Sequence, residues 1–226
     1  MHAWARFLIG MFCFSVVLAA QPQAPQAADG EVVDKRIAGV LPNYRTANLT
    51  DNYTPISTHR KLVIACKDSF DYPLVLIGGI FAGFGQLSNA DPSYGQGGAG
   101  FGKRLAAGYG DQMIGNMMTE GFFPMMLHED PRYFRMGSGR GGVGKRLGYA
   151  LTRIFVTYTD SGGKRFNFSE VVGNSAGVAL TMAYHPDYRT VHDGANKLVV
   201  QLGTDALSQV LKEFWPDVKH KLFSRQ

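Results

Sequence analysis

The sequence predicts a mainly α-helical, glycine-rich bundle of about six to seven helices behind an extended N-terminal arm. Three observations carry this. Apolar and polar residues each recur at four-residue spacing through residues 104–120, and a similar division runs through residues 199–214, which is the period of a two-faced helix. Capping residues and Gly or Pro breaks punctuate the chain at helical lengths. Glycines stand four apart at Gly79/Gly83, Gly144/Gly148 and Gly173/Gly177. A helical Gly costs about 1 kcal/mol relative to Ala, and close helix–helix contact is the usual offset.

The first residues, MHAWARFLIGMFCFSVVLAA, place Arg6 before a short apolar run that ends in small residues. This is the layout of a secretory signal peptide over residues 1–19, shorter than the roughly 20 apolar residues a spanning helix needs. Without the leader, Cys66 stands alone and forms no intramolecular disulfide. Its apolar neighbours, LVIAC, predict a buried, inert thiol. Residues 20–57 are rich in Pro, Ala, Asn and Thr without a period and read as an extended or disordered arm. A single helical domain follows over residues 58–226.

Ser57 or Thr58 caps the first helix, HRKLVIACKDSF. Pro73 opens the second, PLVLIGGIFAGFGQL, at a position where its missing N–H costs nothing. That stretch is apolar all round, and its length of about 15 residues predicts a core helix rather than a spanning one. The third helix carries Leu105, Tyr109, Met113 and Met117 on one stripe and Arg104, Gly108, Gln112, Asn116 and Glu120 on another. Gly121 and Pro124 end it. KRLGYALTRIFVTYT predicts a further helix, with a hairpin as the competing reading of its β-branched end before DSGG. Asn167 or Ser169 caps VVGNSAGVALTMAY, which closes at His185-Pro186. Asp193 caps the last long helix, whose expected core face is Val199, Leu202, Ala206, Val210, Leu211 and Phe214. Pro216 restarts a terminal turn.

Charge gives the first functional signal. The net charge is +5, and residues 132–165 carry eight basic residues against Asp160 alone. Such a segment favours an anionic partner. Export argues against nucleic acid and leaves an anionic lipid or glycan surface. The glycine-rich run GGAGFGKR ending at Arg104 has a second copy, GRGGVGKR, ending at Arg146. Both approach the nucleotide phosphate loop, but each ends in Arg where a Ser or Thr must ligate magnesium, and neither follows a strand. No nucleotide and no cofactor is therefore expected. Each run opens a helix, whose free N–H groups attract anions. The expected anion-binding residues are Lys103, Arg104, Lys145, Arg146 and Arg153.

Chemistry of other kinds is weakly marked. LHEDPRYFR gathers His128, Glu129 and Asp130, from which His128 and Asp130 form the candidate acid–base pair of a hydrolase. No zinc spacing and no G-x-S-x-G elbow occurs, so no metal is expected. The set YGQGGAGFGKR, LHEDPRYFR, YTDSGG with FNFSE, and LKEFWPDVKHKLF resembles an uncharacterised family of small exported bacterial proteins, from about Leu41 onward. The resemblance implies export and a bacterial envelope setting and carries no activity. The leading expectation is a non-enzymatic protein of the periplasm or outer-membrane surface that binds anionic headgroups or plays a structural part there, with self-association through helices. The alternatives are the His128/Asp130 hydrolase and an integral outer-membrane protein in which stretches such as RIFVTYT are strands.

Overall fold

The computed structural model describes residues 36–37, 41–49 and 53–223. The expected signal peptide and much of the expected arm lie outside them. The fold is mainly α. Helix α1 spans Thr58–Ser69, with Ser57 as its cap accepting a hydrogen bond from Arg60 N at 3.2 Å. Helix α2 spans Tyr72–Ser88, with Pro73 in its first turn, and stops at Asn89 in the left-handed conformation. Helix α3 spans Gly97–Asn116.

Three expected boundaries move. Gly121 and Pro124 do not end the third helix: a π-helical segment, Met117–Phe122, follows α3 and leads into α4, Phe123–Met126. Phe123 N bonds to Met118 O, five residues back, and Pro124 then falls in the first turn of α4, where it lacks nothing. Helix α5 covers only Val143–Thr152. The stretch after it is the hairpin, β5 Val156–Tyr158 against β6 Lys164–Phe166, closed by Gly162 at φ +86 and by Thr159 N bonding Gly163 O at 2.7 Å. Helix α6, Phe168–Tyr184, is capped by Asn167, which accepts from Glu170 N. Helix α7 runs from Val191 to Phe223 straight through Pro216. Its cap is Thr190, not Asp193: the Thr190 hydroxyl accepts from Asp193 N at 3.2 Å, and the Asp193 carboxylate accepts from Thr190 N at 2.9 Å, a reciprocal capping box.

The described part of the arm is extended and packed. Strands β1 Arg36–Ile37 and β2 Leu41–Pro42 pair antiparallel. Strand β3, Thr46–Asn48, lies parallel to β4, Tyr133–Arg135, with Ala47 opposite Phe134. Asn43 and Arg45 are buried, so the domain's packing begins before residue 58. Among the described residues the strands form three separate pairs, so RIFVTYT belongs to a hairpin and not to a barrel wall.

Helices α3 and α6 cross closely. A Cβ on Gly173 would lie 3.0 Å from Thr119 Cγ2 and 3.1 Å from Thr119 Cα, and one on Gly177 would lie 3.6 Å from Gly115 Cα. Only this glycine pair makes the expected contact. Hypothetical Cβ atoms on Gly79, Gly83, Gly144 and Gly148 meet nothing within 4 Å.

Polarity is inverted relative to expectation. Arg104 and Glu120, at the two ends of the polar stripe of the third helix, are buried. On α7, Gln209, Lys212 and Glu213 are buried while Val199 and Leu211 are exposed. Helix α2 is not a core helix: Leu76, Phe81 and Leu87 are 61 %, 70 % and 86 % exposed, and Ala82 is buried instead. Cys66 is also exposed. Periodicity separates two faces of a helix, but which face turns inward depends on what its neighbours offer. Here they offer ionic partners.

Candidate functional site

The two glycine-rich runs place their arginines inside the fold. Arg104 donates to the carbonyls of Ala90 and Gly95 at 2.7 Å, to Asp91 O at 3.0 Å and to Gln86 Oε1 at 2.7 Å. It therefore clamps the loop between α2 and α3. Glycine is required beside it, since a Cβ on Gly100 would lie 2.3 Å from Gly95 O. Arg146 donates from Nε to Glu213 Oε1 and from Nη2 to Glu213 O, both at 2.8 Å, and pairs with Asp217. The repeat is a repeated internal clamp. Neither guanidinium is free to take a headgroup.

Lys103 and Lys145 are exposed, and Lys145 Nζ donates to Arg140 O. Arg153 lies over the Tyr149 ring at 4.7 Å and lines a cavity of about 20 Å³, which has room for a water-sized molecule and not for a phosphate. The five expected anion ligands thus do not converge. Much of the basic segment is spent on acids elsewhere in the chain: Arg165 on Glu129 at 2.7 Å, Arg132 on Asp130 at 2.6 Å, and Arg146 on Glu213.

The acid–base pair fails on geometry. The His128 side chain is 82 % exposed, and its Nδ1 sits 3.8 Å from Asp160, not beside Asp130. Asp130 is buried, accepting from Tyr53 OH at 2.7 Å and from Arg132 N and Nε. Glu129, also buried, accepts from Ser169 N at 2.7 Å and Phe168 N at 3.3 Å, so it holds the start of α6, where a negative charge is favourable. LHEDPR is a structural junction. Among the described residues, no group of three or more His, Cys, Asp or Glu is arranged to hold a metal ion.

Two polar centres were not legible as sites. At the first, Asp111 accepts from His185 Nε2 at 3.0 Å, from Lys197 Nζ at 2.8 Å and from Tyr184 OH. His185 Nδ1 faces Tyr94 OH at 3.1 Å. Burial works against the charge on Asp111, but hydrogen bonds from His185, Lys197 and Tyr184 outweigh it and hold the carboxyl below its ordinary value. Burial, with Asp91 and Asp111 nearby, pushes Tyr94 up to about 12. The phenol therefore keeps its proton, within hydrogen-bond distance of His185 Nδ1. Beside this centre a groove of about 390 Å³ runs between α3, α6 and α7, lined by Asp111, Asn174, Asp193, Lys197 and Gln201 among others.

The second centre fills the middle of the bundle. Arg45 reaches in from the segment before β3 and pairs with Glu120 of the π segment at 3.1 Å. Asp68 of α1, Glu170 of α6 and Asp205 and Lys212 of α7 act on the same groups electrostatically. Asn174 connects the two centres, since it lines the groove and donates to Asp205 Oδ2 at 3.0 Å. The signal in the sequence is the pair of polar stripes on α3 with its π segment and on α7, whose Arg104, Glu120 and Lys212 turn inward. Compared with protein-family models, curated proteins and solved structures, the chain matches none.

Proposed function

We propose that this is a non-enzymatic protein of the bacterial envelope that lies against a membrane with helix α2 seated in the lipid surface. One observation carries this: α2 has no charged residue from Tyr72 to Ser88, yet Leu76, Ile80, Phe81, Phe84 and Leu87 all face outward. Leaving each such side chain in water forgoes about 1.5–3 kcal/mol. Contiguous apolar exposure of this kind marks an interaction surface. No single described helix is long and apolar enough to cross a membrane; α1 and Leu74–Ser88 reach that character only together, bent by 42°. A helix of this length can lie in the interface, held there by its buried apolar area and not by a basic face of its own. The exposed Lys103 stands on α3, against which α2 packs, and a cation near an anionic surface contributes about 1 kcal/mol.

Flotation of the leaderless chain with anionic vesicles tests the reading. The chain floats, and a Phe81→Asn/Phe84→Asn/Leu87→Asn variant with an unchanged circular dichroism spectrum stays in the dense fraction. Retention of the wild type in the dense fraction sinks the proposal. The open positions of Gly79 and Gly83 favour one further reading, in which α2 pairs with the same helix of a second copy. A sedimenting dimer that Gly79→Leu/Gly83→Leu abolishes marks that outcome.

A further inference from the structure

We propose that the middle of the bundle is a binding site for two protons, one shared between Asp68 and Glu120 and one between Glu170 and Asp205. The first support is satisfaction of buried atoms. Asp68 Oδ1 and Glu120 Oε2 are both buried and receive no N–H or O–H from the described residues. Both side chains are more than nine-tenths buried. The two carboxyl groups lie within hydrogen-bond reach of each other, so a single proton between them satisfies both oxygens. Two bare carboxylates at that separation in a buried site repel each other strongly, and one takes up a proton instead.

A second pair repeats the arrangement beside Arg45. Glu170 and Asp205 are also hydrogen-bond neighbours. The Asn174 amide reaches Asp205 Oδ2 at 3.0 Å and Glu170 Oε1 at 3.5 Å, bridging the pair. Charge balance points the same way. The groups acting on one another here are Arg45, Asp68, Glu120, Glu170, Asp205 and Lys212, and Arg153 lines the same small cavity as Arg45 and Glu170. Four carboxylates outnumber the cations, and an uncompensated buried charge costs several kcal/mol. Protons on the two carboxyl pairs remove the excess. Burial, then Asp68, pushes Glu120 well above its ordinary value, and burial, then Asp205, pushes Glu170 up to about 8.

The proton of the second pair has a route. Asn174 and Gln201 line the groove between α3, α6 and α7, and Gln201 Nε2 stands 3.5 Å from Asp205 Oδ1. Solvent water in the groove supplies the proton and takes it back, so uptake exchanges H⁺ between water and carboxylate with no other reactant. The π segment is part of the site. Its five-residue hydrogen bond shifts the angular position of the residues it carries, Glu120 among them, and such bulges are frequent at functional sites.

Infrared titration of the folded full-length chain reads the site directly, whatever surface α2 occupies. A protonated-carboxyl band is expected at about pH 6, with one component lost as pH rises through about 8. Glu170→Gln removes that component and Glu120→Gln removes the other. A wild-type chain without the band at about pH 6, or a band that both variants leave intact, overturns the proposal. Should either variant fail to fold, proton release on urea unfolding of the wild type at about pH 7 decides: about two protons are expected beyond those of the exposed groups, and fewer than about one overturns it.

Discussion

Arg146 and Glu213 meet at 2.8 Å with both side chains shut away from solvent, 67 residues apart in the chain. Glu213 also accepts from Tyr133 OH at 2.7 Å and from Met136 N and Gly137 N at 2.9 Å. One carboxylate thus ties α7 to α5, to β4 and to the loop after it. Glu213→Ala is expected to destabilise the fold by about 3–5 kcal/mol, because it takes one of two acids from a buried guanidinium and leaves several buried donors unpaired. Urea unfolding followed by circular dichroism checks this.

The same geometry separates the two lysines from the two arginines of the glycine-rich runs. Lys103→Ala and Lys145→Ala are expected to stay within about 0.5 kcal/mol of wild type. Arg104→Ala and Arg146→Ala are expected to lose about 2 kcal/mol or more, with buried carbonyls and carboxylates left unpaired. Thermal unfolding of the four single variants distinguishes a clamp from a headgroup site.

His128 sits at φ +53 with an exposed side chain. His128→Gly is therefore expected to be neutral or to stabilise by up to about 1 kcal/mol, since the left-handed conformation penalises a Cβ. Glu129→Ala, one residue on, is expected to destabilise by about 3 kcal/mol, because Arg165 loses its partner and Ser169 N its acceptor. The unfolding midpoint should fall for Glu129→Ala and stay level or rise for His128→Gly.

Glycines divide in the same way. Gly173→Ala drives a methyl into the backbone of Thr119 and is expected to cost about 1–3 kcal/mol. Gly148→Ala meets open space on α5 and is expected to stabilise by up to about 1 kcal/mol.

Stability should fall as pH rises from about 4.5 to about 8. Over that window the folded chain holds a proton on Glu170 that the unfolded chain has released, so each unit removes up to about 1.4 kcal/mol. Above about 8 the trend reverses for Lys212, which burial and Arg45 push down to about 8 in the fold, while the unfolded ammonium stays charged to its ordinary 10.5. Urea midpoints across the range check both limbs, and Glu170→Gln flattens the first.

Helix positions were legible because their causes are local. Ser57, Asn167 and Pro73 act on the turn they stand in, and the structure uses all three. The inward direction of each helix was not legible, because it is set by pairing across the chain. The stripe from Arg104 to Glu120 has the composition of a solvated face, and only Arg45, some 75 residues upstream of Glu120, makes its end an interior. The basic segment misled for the same reason. Its neutralising partners Glu129, Glu213 and Asp217 lie outside it in sequence and beside it in space. Pro216 and Pro124 carry the usual stop signal, yet helix continues past both.

The parallel pairing of β3 with β4 fixes where Arg45 sits. Arg45 stands immediately before β3, and its carbonyl accepts from Tyr133 N at 2.8 Å. The cation that balances the carboxyl centre is therefore carried by an early part of the chain but is held in place by residues made almost ninety positions later. The segment that carries β3 is thus a strap across the bundle, and its buckle is an ion pair.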